Sequence, residues 1–329
     1  MSVGTGPPGI PAGPGADHVE RVTFRAMATD VTLAVVDPGP ECADRCELAR
    51  RVFARIEESC SRFRPDSPLM KANRAGIDWC TVPAECFQAI AEAALAHLET
   101  DGLFDPRVLE DLLAIGYDRT LPFGSGVVAR PEAGLRARGV RDRWMPDLDE
   151  RAHAVRIGTA PIDLGGIGKG LAVRGAAAEL AGAGLAFAVE AGGDCYLGGP
   201  GPDGDGWHVG VEDPGGGQDP IAVLHLSDVG CATSSTRVRT WLAGKEPVHH
   251  LIDPRSGRSA RTGLTAVTVV HADPATAEVW SKALFVAGAE HVAPLCDRHG
   301  LAALWVSSRG EVEISPAMAG LITWLARRA

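Results

Sequence analysis

No apolar run in this chain approaches the roughly 18 residues of a membrane-spanning helix, so nothing in it reads as a transmembrane segment. No C-x-x-C pair occurs among the eight cysteines, and Cys42 and Cys46 lack a second pair at zinc-site spacing. The cysteines read as buried free thiols in a reducing compartment. Excess positive charge is missing too. The net charge of −10 argues against a general nucleic-acid binder, which would present a basic face. The opening stretch MSVGTGPPGIPAGPGADHVE has neither a basic n-region nor an apolar h-region, so a secretory signal is not expected and the protein is expected in the cytoplasm. Its glycines and prolines predict a disordered tail to about Asp17, with residues 1–19 set apart from a folded domain at 20–329. No repeating period is present, which excludes a solenoid.

What is there is an ordinary globular composition, 45% apolar and 22% charged over 329 residues, enough for one large core or two smaller ones. Alternation over Arg21 to Asp37 predicts a first strand or hairpin. Helical spacing covers Cys42 to Phe63. A loop with a short helical turn follows, stopped by Gly76, and a further amphipathic helix ends at Gly102. Residues 120–160 read as an irregular edge. The block from Ala160 predicts a short strand, a Gly-rich turn, a helix from about Lys169 to Ala181, and a strand at Ala186 to Glu190. Short strands are predicted at 207–212, 221–226, 229–233 and 264–271, then a helix at 275–287, a last strand at 301–307 and a short closing helix. Strands and helices alternate without a strict βαβ rhythm, which points to a mixed α+β protein.

Several stretches carry residues suited to chemistry. IDLGGIGKG (Ile162 to Gly170) sets a carboxylate, paired glycines and Lys169 at the mouth of a helix, where freed backbone N–H groups attract phosphate. It matches neither the P-loop nor the dinucleotide fingerprint, and a structural turn is the plainer reading of it alone. VHHLIDPRSG (Val248 to Gly257) places His250 near Asp253, a candidate general base with its carboxylate, or a tight turn satisfying its own backbone. CATSSTRVRTW (Cys231 to Trp241) offers Thr233 and Ser234 before Arg237 and Arg239, a possible phosphate loop of a common composition.

In order and spacing these stretches resemble the ApbE-like FAD:protein FMN transferases over about residues 20–320. The landmarks are RAMATD, SRFRPDSPLMKAN, GLFDPRV, IDLGGIGKG, EAGGD, WHVGVEDP, ATSS, HHLIDPRSG and LTAVTVV. The resemblance implies an α+β, T-fold-like architecture of mixed sheets with flanking helices. It implies an enzyme that splits FAD with Mg²⁺, moves FMN onto a Ser or Thr of a target flavoprotein and releases AMP; some relatives instead hydrolyse FAD. Carried over by motif, Met27, Phe63, Leu103, Phe104 and Asp105 line the flavin and adenosine pocket. Asp163, Lys169, Thr233 and Ser234 contact FAD, the backbone near Ile252 closes over it, and His250, beside Asp253, helps deprotonate the acceptor hydroxyl. The metal falls to the Gly166 carbonyl and to an Asp and a Ser/Thr four residues apart on the last long helix.

Those last two positions are Glu278 and Lys282 here, one face of a helix. Glutamate can bind Mg²⁺, but a lysine ammonium has no lone pair to offer. Three arrangements are open: Glu278 and Ser281 hold the metal while Lys282 points aside; Lys282 supplies part of the metal's charge; or the pair is a solvated salt bridge. The alternative function is an FAD-binding protein on the same scaffold with an altered or lost metal site and no transfer. A second departure is Ala28, which adds a methyl group where the family has glycine after Met27.

Overall fold

A computed structural model describes residues 18–121, 127–129 and 142–326. The tail expected at the N-terminus lies, up to residue 17, outside the described residues, as do parts of the irregular edge. The alternating first segment forms a hairpin of β1 (Val19–Ala26) and β2 (Thr29–Val36). Met27 and Ala28 make its turn, both with positive φ, +51° and +59°, as a two-residue hairpin loop of the primed type requires.

Five helices follow: α1 (Cys42–Cys60), α2 (Pro68–Ala75), α3 (Ala84–Glu99), α4 (Leu109–Ala114) and α5 (Gly168–Leu180). α1 ends at Cys60 rather than at the predicted Phe63, because Ser61 turns extended (ψ 123°) and leads Arg62 and Phe63 off the helix. The Ser67 side chain caps α2 by accepting from the Met70 N–H, and Gly76 ends it at φ +60°. The strand expected just before the Gly-rich turn does not form. The Asn73 side chain takes the place of a neighbouring strand there: Oδ1 accepts from the Ile162 N–H (2.8 Å) and Nδ2 donates to the Ile162 carbonyl (2.9 Å).

The remaining main elements are β3 (Ala186–Ala191), β4 (Asp194–Gly198), β5 (Val229–Ser235), β6 (Leu264–His271), α6 (Pro274–Ala287), α7 (Ala289–His299), β7 (Ala302–Ser307) and β8 (Val312–Ile314). α7 has no counterpart in the sequence reading; Pro294 inside it masks the helical pattern, yet Val292 and Cys296 bury its inner face. The chain also continues past β7 further than expected, through β8 and a short helix to a strand at Ile322–Leu325, which pairs with Ala222–Leu226.

β1 to β8 form one eight-stranded sheet in chain order, each strand antiparallel to the next. Both faces are covered, and the alternation of side chains shows it. On β2, Val31, Leu33 and Val35 face the core with α1 and α5, while Ala34 and Val36 face a second core with Trp207, Leu224 and Met318. On β6 and β7, Val267, Val269, Ala303 and Trp305 pack under α6, while Ala266, Val270, Leu304 and Val306 join that second core. Such strands read as nearly continuous apolar runs because neither face meets water. Within the helical layer, a Cβ at Gly170 would lie 2.5 Å from the Ala275 Cα, so α5 and α6 cross backbone to backbone and only glycine fits. That crossing fixes the site.

Candidate functional site

A cavity of about 470 Å³ opens where the hairpin turn, the end of α1, the 103–108 loop, the start of α5 and one face of α6 converge. Its volume lies within the range of small-molecule sites, roughly 300–1,000 Å³. Arg25, Arg62, Arg64, Lys169, Arg239 and Lys282 line it against the carboxylates of Glu57, Asp105 and Asp163. A chain of net charge −10 thus concentrates positive charge in this one hollow.

The walls are built from local necessities. Glu57 on α1 accepts from the Met27 N–H (3.0 Å), which pins the hairpin turn to the cavity rim. Arg62 is buried between two rings, its guanidinium carbon 4.0 Å from the Phe63 centroid and 4.4 Å from that of Tyr117. Its Nη1 donates to the Tyr117 carbonyl (2.6 Å), Nε lies 3.5 Å from Asp163 Oδ1, and Nη2 is buried without a partner. In the 103–108 loop, Asp105 is clamped by the Arg107 guanidinium (2.7 Å). His97 steadies the same loop: its Nε2 accepts from the Trp144 N–H (3.0 Å), so Nδ1 donates to the Phe104 carbonyl (3.1 Å). Burial pushes the His97 pKa down, in keeping with a neutral ring.

The floor is a chain of charges between α5 and α6. Lys169 donates to Asp194 on β4 and to Glu278 Oε1 (2.6 Å). Glu278 Oε2 accepts from the Gly170 N–H (2.7 Å), and Oε1 also accepts from Lys282 Nζ (3.1 Å). Glu278 is fully buried, while the Lys282 side chain keeps 17% exposure and lines the cavity. Burial alone would push the Glu278 carboxyl up; Lys169 and Lys282 outweigh it and hold the pKa at about 2. Burial pushes Lys282 down, and Glu278 only partly offsets that. Asp194 is raised by burial despite Lys169. His250 lines the cavity nearby with Nδ1 buried and unpartnered; burial, then Arg239 and Lys282, push its pKa well below the ordinary value.

Of the residues singled out in the sequence, Met27, Phe63, Leu103, Phe104, Asp105, Asp163, Gly166, Lys169, His250, Ile252 and Lys282 all line this cavity. Thr233, Ser234, Asp253, Ser281 and the fully buried Glu278 do not. Strand alternation turns Thr233 to Thr268 Oγ1 (2.9 Å) and Ser234 to Ser281 Oγ (2.8 Å), and Asp253 pairs with Arg255 in a hairpin bend. Arg239, offered in the sequence as a phosphate contact, lines the cavity, while Arg237 pairs with Glu212 (2.9 Å). Arg62 and Tyr117 in the wall, and Asp194 behind Lys169, are members the sequence reading did not assign; the arginine beside Phe63 in SRFRP was the available signal.

The donor set does not fit a divalent cation. Mg²⁺ takes oxygen ligands in near-octahedral array. Here both Glu278 oxygens are engaged by N–H donors, and Ser281 Oγ donates to the Glu278 carbonyl (2.9 Å) and bonds Ser234. Lys282 brings an ammonium to the remaining ligand position.

An antiparallel sheet with a helical layer and a cationic, ring-lined cavity between its excursions defines an α+β scaffold suited to a phosphorylated aromatic ligand. The chain belongs to the ApbE family, whose model matches residues 27–305. It is 26% identical over 326 residues to the FAD:protein FMN transferase of Salmonella typhimurium, covering 95% of this chain and 88% of the relative. It is 29% identical over 280 residues to one from Klebsiella pneumoniae, covering 82% and 84%. The crystal structure of the ApbE protein from Thermotoga maritima superposes with a TM-score of 0.77 at 27% identity, covering 92% of this chain and 99% of that one.

Proposed function

We propose that this protein is an FAD:protein FMN transferase, which splits FAD and joins FMN through a phosphoester to a Ser or Thr of an acceptor flavoprotein, releasing AMP. The observation that carries the reading is the convergence of the motif residues on one cationic cavity that also holds His250 with an unpartnered Nδ1. Met27, Phe63, Leu103 and Phe104 offer apolar surface to the flavin and adenosine rings. Asp163, through Arg62, and Lys169 order the polar wall, and the backbone at Ile252 closes it. Thr233, Ser234 and Asp253 act through the fold rather than by contact.

In the transfer, the acceptor hydroxyl oxygen attacks the phosphorus of the FMN half. A new P–O bond forms and the bond to the bridging oxygen breaks, its electron pair leaving on AMP. A neutral His250 takes the hydroxyl proton. Its depressed pKa keeps it a base below pH 6.5, so the acid limb of activity should fall well under that value. His250→Gln should lower AMP release by about 10²–10⁴-fold, the usual worth of a general base. No step is routed through Mg²⁺, which the resident side chains do not accommodate.

The test is FAD incubated with the protein and a Ser/Thr acceptor, reading AMP by chromatography and flavin retained on the denatured acceptor. AMP together with retained flavin supports transfer. AMP and free FMN would make the protein a hydrolase, and intact bound FAD would make it a flavin carrier. The locked Glu278 carboxylate is the observation that favours this last reading.

A further inference from the structure

We infer that Lys282 is the built-in cation of this site, so that the protein binds the pyrophosphate of FAD without a divalent metal; the inference rests on the reading of FAD as its ligand. Three observations converge on the ammonium. First, its position: Lys282 Nζ sits 3.1 Å from Glu278 Oε1, and its stem lies on the Gly-rich turn, where a Cβ at Gly166 would come within 3.4 Å of Lys282 Cδ. The cation therefore lies between the glycine turn and the α6 carboxylate, the groups to which the family resemblance assigns a metal.

Second, the charge balance closes without a metal. Asp194 and Glu278 carry two negative charges, and Lys169 and Lys282 carry two positive ones, all within one bonded chain. With threonine in place of Lys282 the same cluster would be left one charge negative and would attract a cation. With lysine present, an incoming dication would meet an ammonium and a carboxylate already saturated by donors.

Third, the direction of the charge. Glu278 is fully buried and spent on its three donors, whereas Lys282 keeps 17% exposure and faces the cavity, where Arg239 has no ion-pair partner among the described residues. Lys282 and Arg239 thus both offer positive charge to a phosphate in the cavity. In the transfer step the P–O bond to AMP breaks with its electron pair on the departing oxygen, and the Lys282 ammonium is the group placed to stabilise that charge. The hydroxyl proton goes to His250, so no further reactant is needed.

The experiment measures FAD binding by quenching of flavin fluorescence, with EDTA or with Mg²⁺, for wild type, Lys282→Thr and Lys282→Arg. Mn²⁺ binding is followed by electron paramagnetic resonance on the same proteins. Wild type should bind FAD equally in EDTA and Mg²⁺ and leave Mn²⁺ free. Lys282→Thr should lose about tenfold or more of its FAD affinity in EDTA, the scale of one charge-assisted contact. That variant should regain affinity with Mg²⁺ and bind Mn²⁺, while Lys282→Arg stays metal-independent and shows that the position tolerates change. FAD binding by wild type that EDTA abolishes and Mg²⁺ restores would overturn the inference, as would tight Mn²⁺ binding by wild type. The two readings separate cleanly. Mg²⁺-dependent transfer sinks the inference and leaves the transferase, FAD bound in EDTA without AMP release does the reverse, and no FAD binding ends both.

Discussion

Two ion-pair clusters tie α5 to α6 and its N-cap, and the difference that matters most between them is their access to water. At the cavity end, Lys169 meets Glu278, with Lys282 alongside, and the carboxylate is fully buried. Farther along α5, Arg174 meets Asp273 (2.8 Å) and Glu92, with 40% of Arg174 and 30% of Asp273 exposed. The outer cluster is the sort that salt screens and that contributes little to stability. The inner one cannot be relieved by solvent, so each member exists because of the others. Similar charges on the same pair of helices therefore make a solvated fastener in one place and a buried charge chain at the cavity in the other. Burial decides which.

Breaking the inner cluster should have the largest effect. Glu278→Ala leaves Lys169 with Asp194 alone and strips Lys282 of its carboxylate in a largely buried place, and chemical denaturation should show a loss of about 3–5 kcal/mol. The outer cluster is less sensitive and its members are unequal. Asp273 also caps α6, accepting from the Ala275 N–H (2.7 Å) and the Thr276 N–H (3.1 Å), so Asp273→Ala should cost about 1–2 kcal/mol. Burial tends to raise the Asp273 pKa, but Arg174 and the helix amides lower it below the ordinary 3.8. Its contribution is therefore complete above that value and lost as pH falls through the depressed one, which urea titrations across acid pH would reveal. Smallest of all should be Arg174→Gln, below about 1 kcal/mol and vanishing in high salt. An Arg174→Gln effect that persisted in molar salt would show that the outer pair is shielded after all and would dissolve the contrast.

The contrast also explains what could be seen in the sequence. Helix spacing was enough to set Glu278 and Lys282 on one face. It could not say which way that face pointed, because α6 is buried nearly all round and has no polar stripe to orient it. The direction of Ser281 was hidden for the same reason, and only the packed structure shows it turned to Ser234 on the sheet. The β1–β2 hairpin was legible because alternation and a two-residue turn are local signals. The missing strand at Ile162 was not, since its backbone partner is a side chain eighty-nine positions away, Asn73. Arg62 escaped for a related reason: only the abrupt end of α1 after Cys60 swings it between Phe63 and Tyr117.

The register of the large sheet has a kinetic consequence. Val36 of β2 pairs with Ala186 of β3, so the adjoining strands can zip only after the whole segment carrying α1 to α5 has been looped out. Loop-closure entropy of that kind comes before any reward from pairing, and chains rich in distant contacts fold slowly. The cavity walls come from that excursion and from two later ones, the segment with His250 and the one with Lys282. The pocket is thus among the last places to become whole. A ligand seated there would hold the excursions together, and FAD added during refolding should act as a template that raises the yield of native protein.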